Sequence, residues 1–212
     1  MPGTMPVTLA TLSTGDLVVV VVPVAVALAT VIALAALYNG LAVARVRMRN
    51  ALSQIDVQLR RRHDLVPILV ESVRGYMDHE RTTLQAITRA RSAAVQAAEA
   101  LRAGDGTAVR ALAAASASLD GALHSLLARV EAYPDLKANA LMQNLQEELV
   151  TTENRVAFAR QAFNDAVMRL NERVATFPSN LVAGVFGFEA AEPWQTEADT
   201  RAVPGVRLGN GA

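Results

Sequence analysis

LVVVVVPVAVALATVIALAALY, running from Leu17 to Tyr38, is the stretch on which the reading of this chain turns. Its 22 residues carry no charge and are broken only by Pro23 and Thr30. As a helix at 1.5 Å per residue it is about 33 Å long, matching a hydrocarbon core of about 30 Å. Pro23 falls in the first third, where a kink is compatible with insertion, and Tyr38 stands where an interfacial aromatic anchors a span. A cleaved signal peptide requires a basic leader, yet residues 1–16 contain no Lys or Arg and one acidic residue, Asp16. A soluble helix this apolar requires a protein large enough to surround it, and 212 residues do not make one. We therefore expect a transmembrane helix over 17–38, embedded in the lipid bilayer, behind a short extracytoplasmic N-terminus over 1–16.

Charge on the flanks sets the orientation. Residues 1–44 carry only Asp16, whereas 45–62 carry Arg45, Arg47, Arg49, Arg60, Arg61 and Arg62 against Asp56. Basic residues close behind a span are retained on the cytoplasmic side. The expected protein is single-pass, with its N-terminus outside and everything after Tyr38 in the cytoplasm. Over the whole chain 20 basic groups meet 20 acidic ones, which leaves no footprint for a nucleic acid. The absence of cysteine excludes disulfides, thiolate metal ligands, a cysteine nucleophile and a lipidated cysteine anchor. Aromatic residues, at 4%, are too few for a typical sandwich, barrel or sugar-binding cleft, while alanine and leucine abound. The expected fold class is all-α.

Beyond the span, apolar residues recur at intervals of three and four. Leu41, Ala44, Met48, Leu52, Ile55, Leu59, Val66, Leu69 and Val73 continue the register of the span, which predicts one long helix leaving the membrane. Pro67 interrupts its hydrogen-bond ladder but not its stripe, so a kink is expected rather than a stop. Gly75 marks a turn. Met77, Leu84, Ile87, Ala90, Ala94, Ala98 and Leu101 form a second stripe, and Arg102 to Thr107 reads as a loop with Asp105 or Thr107 capping the next helix. A third stripe runs through Val109, Leu112, Ser116, Leu119, Leu123, Leu126 and Val130. Tyr133-Pro134-Asp135 closes it and opens the fourth, through Leu145, Leu149, Val156, Ala159, Phe163, Ala166, Leu170, Val174 and Phe177.

These stripes predict an antiparallel bundle of three or four long, coiled-coil-like helices over 39–188. The tail over 189–212, rich in Ala, Gly, Pro and Glu, is expected to be disordered. Residues 135–175 are long enough to return to the bilayer, which puts Leu181 to Phe188 beside it. That segment is expected there as an apolar plug under the bundle or as a strip on the membrane surface.

Several motifs then converge. They are NALSQIDVQLRRRHDLVP (Asn50 to Pro67), Gly75-Tyr76, His79-Glu80, Thr88 to Arg91, EAYPDLKAN (Glu131 to Asn139), Thr152 to Asn154, Arg160, Asn164, Asn171 and FPSNLVAGVFGF (Phe177 to Phe188). Together, in order over about residues 38–188, they resemble the LemA family. Ile68 stands where that family usually has asparagine, and Phe163 and Leu170 where it often has tyrosine. The resemblance implies a bacterial inner-membrane protein with one N-terminal span and an all-helical antiparallel bundle. It implies no established reaction. Some relatives are associated with building internal membranes such as magnetosomes, and others are encoded beside membrane proteases.

Counting from the two distal turns, Gly75 and Asp135, sets Gln58 level with Thr152, Asp56 with Asn154, and Asn50 with Arg160. Asn50, Gln54, Asp56, Glu153, Asn154, Arg155, Arg160 and Asn164 are expected to form stacked polar layers between the first and fourth helices, fixing register. A polar groove for a ligand is the alternative. Arg60-Arg61-Arg62 stands about 30 Å from the membrane, beyond a Debye length, and reads as a solvated face partnered by Asp64 and Glu153. An acidic protein is the sharper reading of that cluster.

His63, His79 and His124 are the only histidines, and His79-Glu80 lacks a second histidine one turn on, so no metal and no cofactor are expected. Neither a phosphate loop nor a nucleophile elbow occurs, and no catalytic residue is assigned. Gly75, Tyr76 and His79 should meet Tyr133, Pro134 and Lys137 at the end furthest from the membrane, as a candidate partner surface. Its plain alternative is two turns packing on each other. The expected function is a non-enzymatic, membrane-anchored cytoplasmic scaffold or adaptor with an unknown membrane or cytoplasmic protein partner, and self-association as a further expectation. An accessory subunit of a membrane protease or signalling system is the second reading, and an enzyme with an unrecognised polar groove the third.

Overall fold

A single helix, α1 (Thr14–Arg74), runs for 61 residues through both the apolar stretch and the first bundle stripe. The computed structural model describes residues 14–77, 80–103 and 108–195, with side chains from Val19 onward. His79 and the loop Gly104 to Thr107, with its expected caps Asp105 and Thr107, lie outside the described residues. From Val19 to Leu34 the large apolar side chains of α1 are all exposed. Beyond Tyr38 one face turns inward and is buried at Leu41, Ala44, Ile55, Leu59, Val66, Leu69 and Val73. No strand occurs among the described residues.

The helix passes Pro67 without stopping, and the reason is a replacement donor. Pro67 has no N–H for the carbonyl of His63, four residues back. Arg91, on the neighbouring helix α2 (Arg81–Arg102), donates its Nε–H to that carbonyl at 2.7 Å. Arg91→Met is therefore expected to cost about 1–2 kcal/mol, because a buried acceptor loses a charged donor. In a Pro67→Ala background the restored amide takes the carbonyl, and Arg91→Met should then cost less than about 0.5 kcal/mol. Thermal unfolding of the four proteins closes this double-mutant cycle. Additive losses would rule the replacement out.

Helix α2 and α3 (Ala108–Val130) pair as an antiparallel hairpin, and alanines at 94, 98 and 113 keep their seam narrow. A one-turn helix, α4 (Pro134–Lys137), then precedes α5 (Ala140–Ala175), which lies along the bundle half of α1. Tyr133-Pro134-Asp135 thus opens only α4. The long helix starts six residues beyond Pro134, at Ala140, where Asn139 Oδ1 accepts from the amides of Leu141 at 2.9 Å and Met142 at 3.4 Å. That cap decides the start. Helix α6 (Ser179–Phe186) folds beneath the pair α1/α5.

Three apolar clusters stack along the bundle. The distal one joins Val66, Leu69 and Val73 to Ile87, Leu126, Leu136 and Met142. The middle one gathers Ile55, Leu59, Leu112, Val156 and Phe163. The third, at the base, holds Leu41, Val182, Ala183 and Phe188. Two details of the expected fourth stripe are corrected. Phe177 is 79% exposed because α5 ends at Ala175, and Val167 rather than Ala166 takes the fully buried place. The expected disordered tail is also corrected at its start: residues 189–195 are tied to the bundle at Ala191, Glu192 and Trp194, and Trp194 is buried in the middle cluster. Residues 196–212 lie outside the described residues.

Two described helices are long and apolar enough to cross a membrane. The apolar window of α1 is wholly exposed, whereas that of α3 is less apolar and partly buried. Leu112, Leu119, Leu123, Leu126 and Val130 of α3 are spent on the core.

Candidate functional site

Polar groups concentrate at three heights of the bundle. In the middle, Arg62 is 2% exposed although it lies in an arginine run. Its guanidinium bonds the Asp120 carboxylate of α3 and lies 3.7 Å from Glu153 of α5, which in turn is 3.8 Å from His124 Nε2. Burial pushes the Asp120 carboxyl above the usual range, with Arg62 pulling the other way. His63, also buried, is lowered to about 4 by burial first and then by the charge of Arg91. Among the described residues, Gln58 Oε1, Arg62 Nε, His63 Nε2 and Ser116 Oγ are buried without a hydrogen-bond partner. Arg60 and Arg61 differ from Arg62: both are exposed, and they pair with Asp56 at 3.4 Å and Glu148 at 2.7 Å.

The expected polar layers between α1 and α5 do not form as a stack. Asn50, Gln54, Asn154 and Arg155 are exposed. Asp56 turns to α2, where Arg102 grips both its oxygens at 2.8 and 3.0 Å. That bond holds the Arg102 guanidinium more firmly protonated. Glu153 reaches the Arg62 network, and the charge of Arg160 acts on its Asp120. Asn164 and Arg160 also serve residues 189–195. Counting from the turns gives the height of a residue but not its direction around the helix, which changes by 100° per residue. The seam itself is filled by Ile55, Leu59, Val156 and Phe163.

Two asparagines seven residues apart on α5 act together. Asn164 donates to the Trp194 carbonyl at 3.1 Å and accepts its amide at 2.7 Å, and Asn171 does the same with Ala191 at 2.9 and 2.8 Å. Arg160 lies 5.8 Å over the Trp194 ring. Arg110 of α3 holds Glu192 at 2.9 Å.

At the base, Ser179 Oγ lies 2.6 Å from the Arg173 carbonyl and 2.9 Å from that of Thr176, which sets the corner between α5 and α6. Gly187, at φ +66°, ends α6, and the Phe188 amide reaches back to Ala183 at 2.9 Å, as a Schellman turn does. Phe188 is thereby returned to the core against Leu41. Tyr38 meets Phe186 edge-on at 4.9 Å, Arg45 covers Phe188 at 4.0 Å, and Arg45 also donates to the Gly187 carbonyl at 3.0 Å. Of the two expectations for Leu181 to Phe188, the plug describes one face: Val182, Ala183 and Phe188 are buried. Leu181, Val185 and Phe186 point away from it and are exposed.

At the distal end, Tyr76 is exposed and Tyr133 is half-buried against the distal cluster. Pro134 and Lys137 are exposed, with Lys137 Nζ 3.9 Å from Glu131. Gly75 is exposed in the turn, and both turns roof the cluster through Met77 and Leu136. Glu80 ties the approach to α2 onto Arg129 of α3 with two contacts of 2.6 Å. A groove of about 520 Å³ runs between α1 and α2, with Arg74, Arg81 and Arg89 along Val70, Met77 and Leu84.

Arg62, expected on a solvated face with Asp64 and Glu153, is instead buried, with Asp120 as its main partner and Glu153 second, while pattern reading gives Asp120, Arg91, Asn171 and Trp194 no role. Arg62 had a signal: it stands between Leu59 and Val66 at spacings of three and four, on the buried stripe. Among the described residues no group of three or more His, Asp or Glu side chains is placed to hold a metal ion.

The comparisons with known proteins fit this geometry. A family model described as LemA family matches residues 51–208, a range that takes in the docked segment around Trp194. Magnetosome protein MamQ of Magnetospirillum gryphiswaldense is 33% identical over 89 residues, 42% of this chain and 33% of that protein. Magnetosome protein MamQ 1 of Paramagnetospirillum magneticum is 33% identical over 86 residues, 41% of the chain and 32% of the relative. The chain thus spans about a third of the length of these magnetosome relatives. Protein LemA of Metamycoplasma hominis is 29% identical over 159 residues, 72% of the chain and 69% of that protein.

Proposed function

This chain belongs to the LemA family, and from that premise we propose that it works as a membrane-anchored helical scaffold, holding a cytoplasmic bundle out to protein partners. One observation carries the reading. Helix α1 continues unbroken from a fully exposed apolar half into the core of the bundle, so span and bundle share one rigid element. The charge step from residues 1–44 to the arginines at 45, 47 and 49 favours the bundle on the cytoplasmic side. A single crossing fits α3, whose Asp120 is tied to buried Arg62. The partner surface we favour is the distal end, where exposed Tyr76 precedes Met77 of the arginine-lined groove. Its three guanidiniums over an apolar floor suit an acidic segment with apolar side chains. No catalytic role is assigned to any residue.

The full chain expressed in a bacterium should stay with membranes under alkaline carbonate. Val26→Arg with Ile32→Arg should release it, since each central charge costs about 2.5–3.5 kcal/mol on insertion. Cysteine placed at Thr107 should be shielded in intact cells from an impermeant reagent that labels cysteine at Ser13; labelling at Thr107 would overturn the orientation. Cross-linking from Tyr76→Cys, with and without Arg81→Glu, addresses the partner. An unchanged set of captured proteins would remove the distal end from consideration.

A further inference from the structure

We propose that the cleft in which Arg47 of α1 faces Arg169 and Arg173 of α5 binds the phosphate of an anionic phospholipid, with α6 lying in the membrane interface beside it. The inference rests on the anchoring reading above and adds a lipid-specific site to it. The run from Leu17 to Ala44 has no charge over 28 residues. At helical rise it is about 42 Å long, the thickness of a bilayer with its headgroups. The end of that run therefore stands at headgroup depth. Helix α6 is packed at that height, against Tyr38, Leu41 and Arg45.

The outward face of α6 is apolar. Val185 is 81% exposed, Leu181 62% and Phe186 59%, and through Tyr38 this face is continuous with the bare apolar surface of α1. Residues 174–188 carry no charge of their own, and a segment without basic residues binds interfaces weakly. The fold supplies the missing charge from its neighbours. Arg45, Arg47 and Arg49 come from α1 and Arg169 and Arg173 from α5, against Asp165 and Glu172.

The cleft itself has a volume of about 250 Å³, with Gly40 and Asp165 also in its wall. A Cβ at position 40 would collide with the Arg173 guanidinium, so the missing side chain is what lets that group lie against α1. Among the described residues, Arg47, Arg169 and Arg173 form no ion pair with any carboxylate. Three arginines lining one cleft with a single carboxylate suit a phosphate, which planar donor forks grip through paired oxygens. An anionic cytoplasmic leaflet brings that phosphate to this height.

The test uses the full chain in membranes holding equal amounts of phosphatidylglycerol and phosphatidylcholine. After extraction into mild detergent, the retained lipid is counted by native mass spectrometry. Phosphatidylglycerol should be enriched about tenfold over the bulk, and Arg47→Gln/Arg169→Gln/Arg173→Gln should abolish the enrichment. Arg60→Gln/Arg61→Gln/Arg110→Gln, which removes as much charge further from the membrane, should keep it. No enrichment in the parent chain, or enrichment that survives in the first variant, overturns the site. Displacement by millimolar inorganic phosphate would assign the cleft to free phosphate instead and overturn the lipid assignment.

A second measurement does not depend on those variants folding. The chain has no native cysteine, so a nitroxide can be placed cleanly at Val185→Cys or Ile32→Cys. Both should relax with oxygen and be shielded from a water-soluble nickel chelate. A label that is lipid-exposed at 32 and water-exposed at 185 sinks this inference alone, whereas water exposure at both positions sinks the anchoring reading.

Discussion

Arg62→Met is expected to lower the stability of the bundle by about 2–3 kcal/mol, seen as a fall in Tm of about 5–10 °C. Arg62 is a buried cation whose charge is met by Asp120 and, at 3.7 Å, by Glu153. Removing one member of a buried pair strands the other, which typically costs about 3–5 kcal/mol. Here the Asp120 and Glu153 side chains are 28% and 46% exposed, so water takes up part of the loss and the lower end of the range applies. Methionine keeps the volume of the arginine stem, so the loss reports on charge rather than on a cavity. Adding Asp120→Leu should recover most of it, because two apolar groups replace a pair that was costly to desolvate. Trp194 is the sole tryptophan and is buried in the middle cluster, so its emission follows unfolding of the full chain in nanodiscs. A loss below about 0.5 kcal/mol would show that Arg62 behaves as a surface residue.

Acidification from pH 6.5 to 4 should remove a comparable amount, about 2–3 kcal/mol, through His63. Burial and then the Arg91 charge hold this imidazole at about 4 instead of 6.5, with Asp64 and Asp56 opposing and Arg62 assisting. The folded protein takes up this proton only near pH 4, whereas the unfolded chain takes it up near 6.5. Between those values the unfolded chain binds more protons, so stability is full above pH 6.5 and declines as pH falls. Asp120 has the opposite sign. Its carboxyl is raised by burial, so it keeps its proton longer in the fold and offsets part of the decline at the acid end. Denaturant unfolding at several pH values should show a His63→Gln variant with a flatter profile than the parent across this window. Parallel profiles for the two proteins would remove His63 as the cause.

Much of this architecture could be read from spacing alone. Intervals of three and four located the buried faces of α1, α2, α3 and α5, because a helix that packs along its length must repeat its apolar residues. Where packing changed partners, spacing misled. Phe177 keeps the interval from Leu170 and Val174 yet projects into the open, because the helix has ended and the periodicity has no carrier. Polar positions were less legible. Asn164 and Asn171 recognise backbone rather than side chains, and the backbone they hold belongs to a segment with no pattern of its own. Asp120 is identified only once α1 and α3 are in contact, since its partner is 58 residues away. The base of the bundle shows the same limit. Residues 174–188 read as uncharged and remain so, but the arginines around them come from two other parts of the chain.

The clasp formed by Asn164 and Asn171 also has a mechanical meaning. The chain leaves α5, turns through α6 at the base, and is pinned again at Ala191 and Trp194, about one and three turns up the helix it has just left. Helix α6 is therefore slung between two fixed points. A force that pulls it away from the base, or presses it upward, is carried as tension along residues 188–194. It arrives at four hydrogen bonds between the two asparagine side chains and the backbone, and at an indole in the same cluster as Phe163. A displacement of α6 is thus carried as strain into the middle cluster.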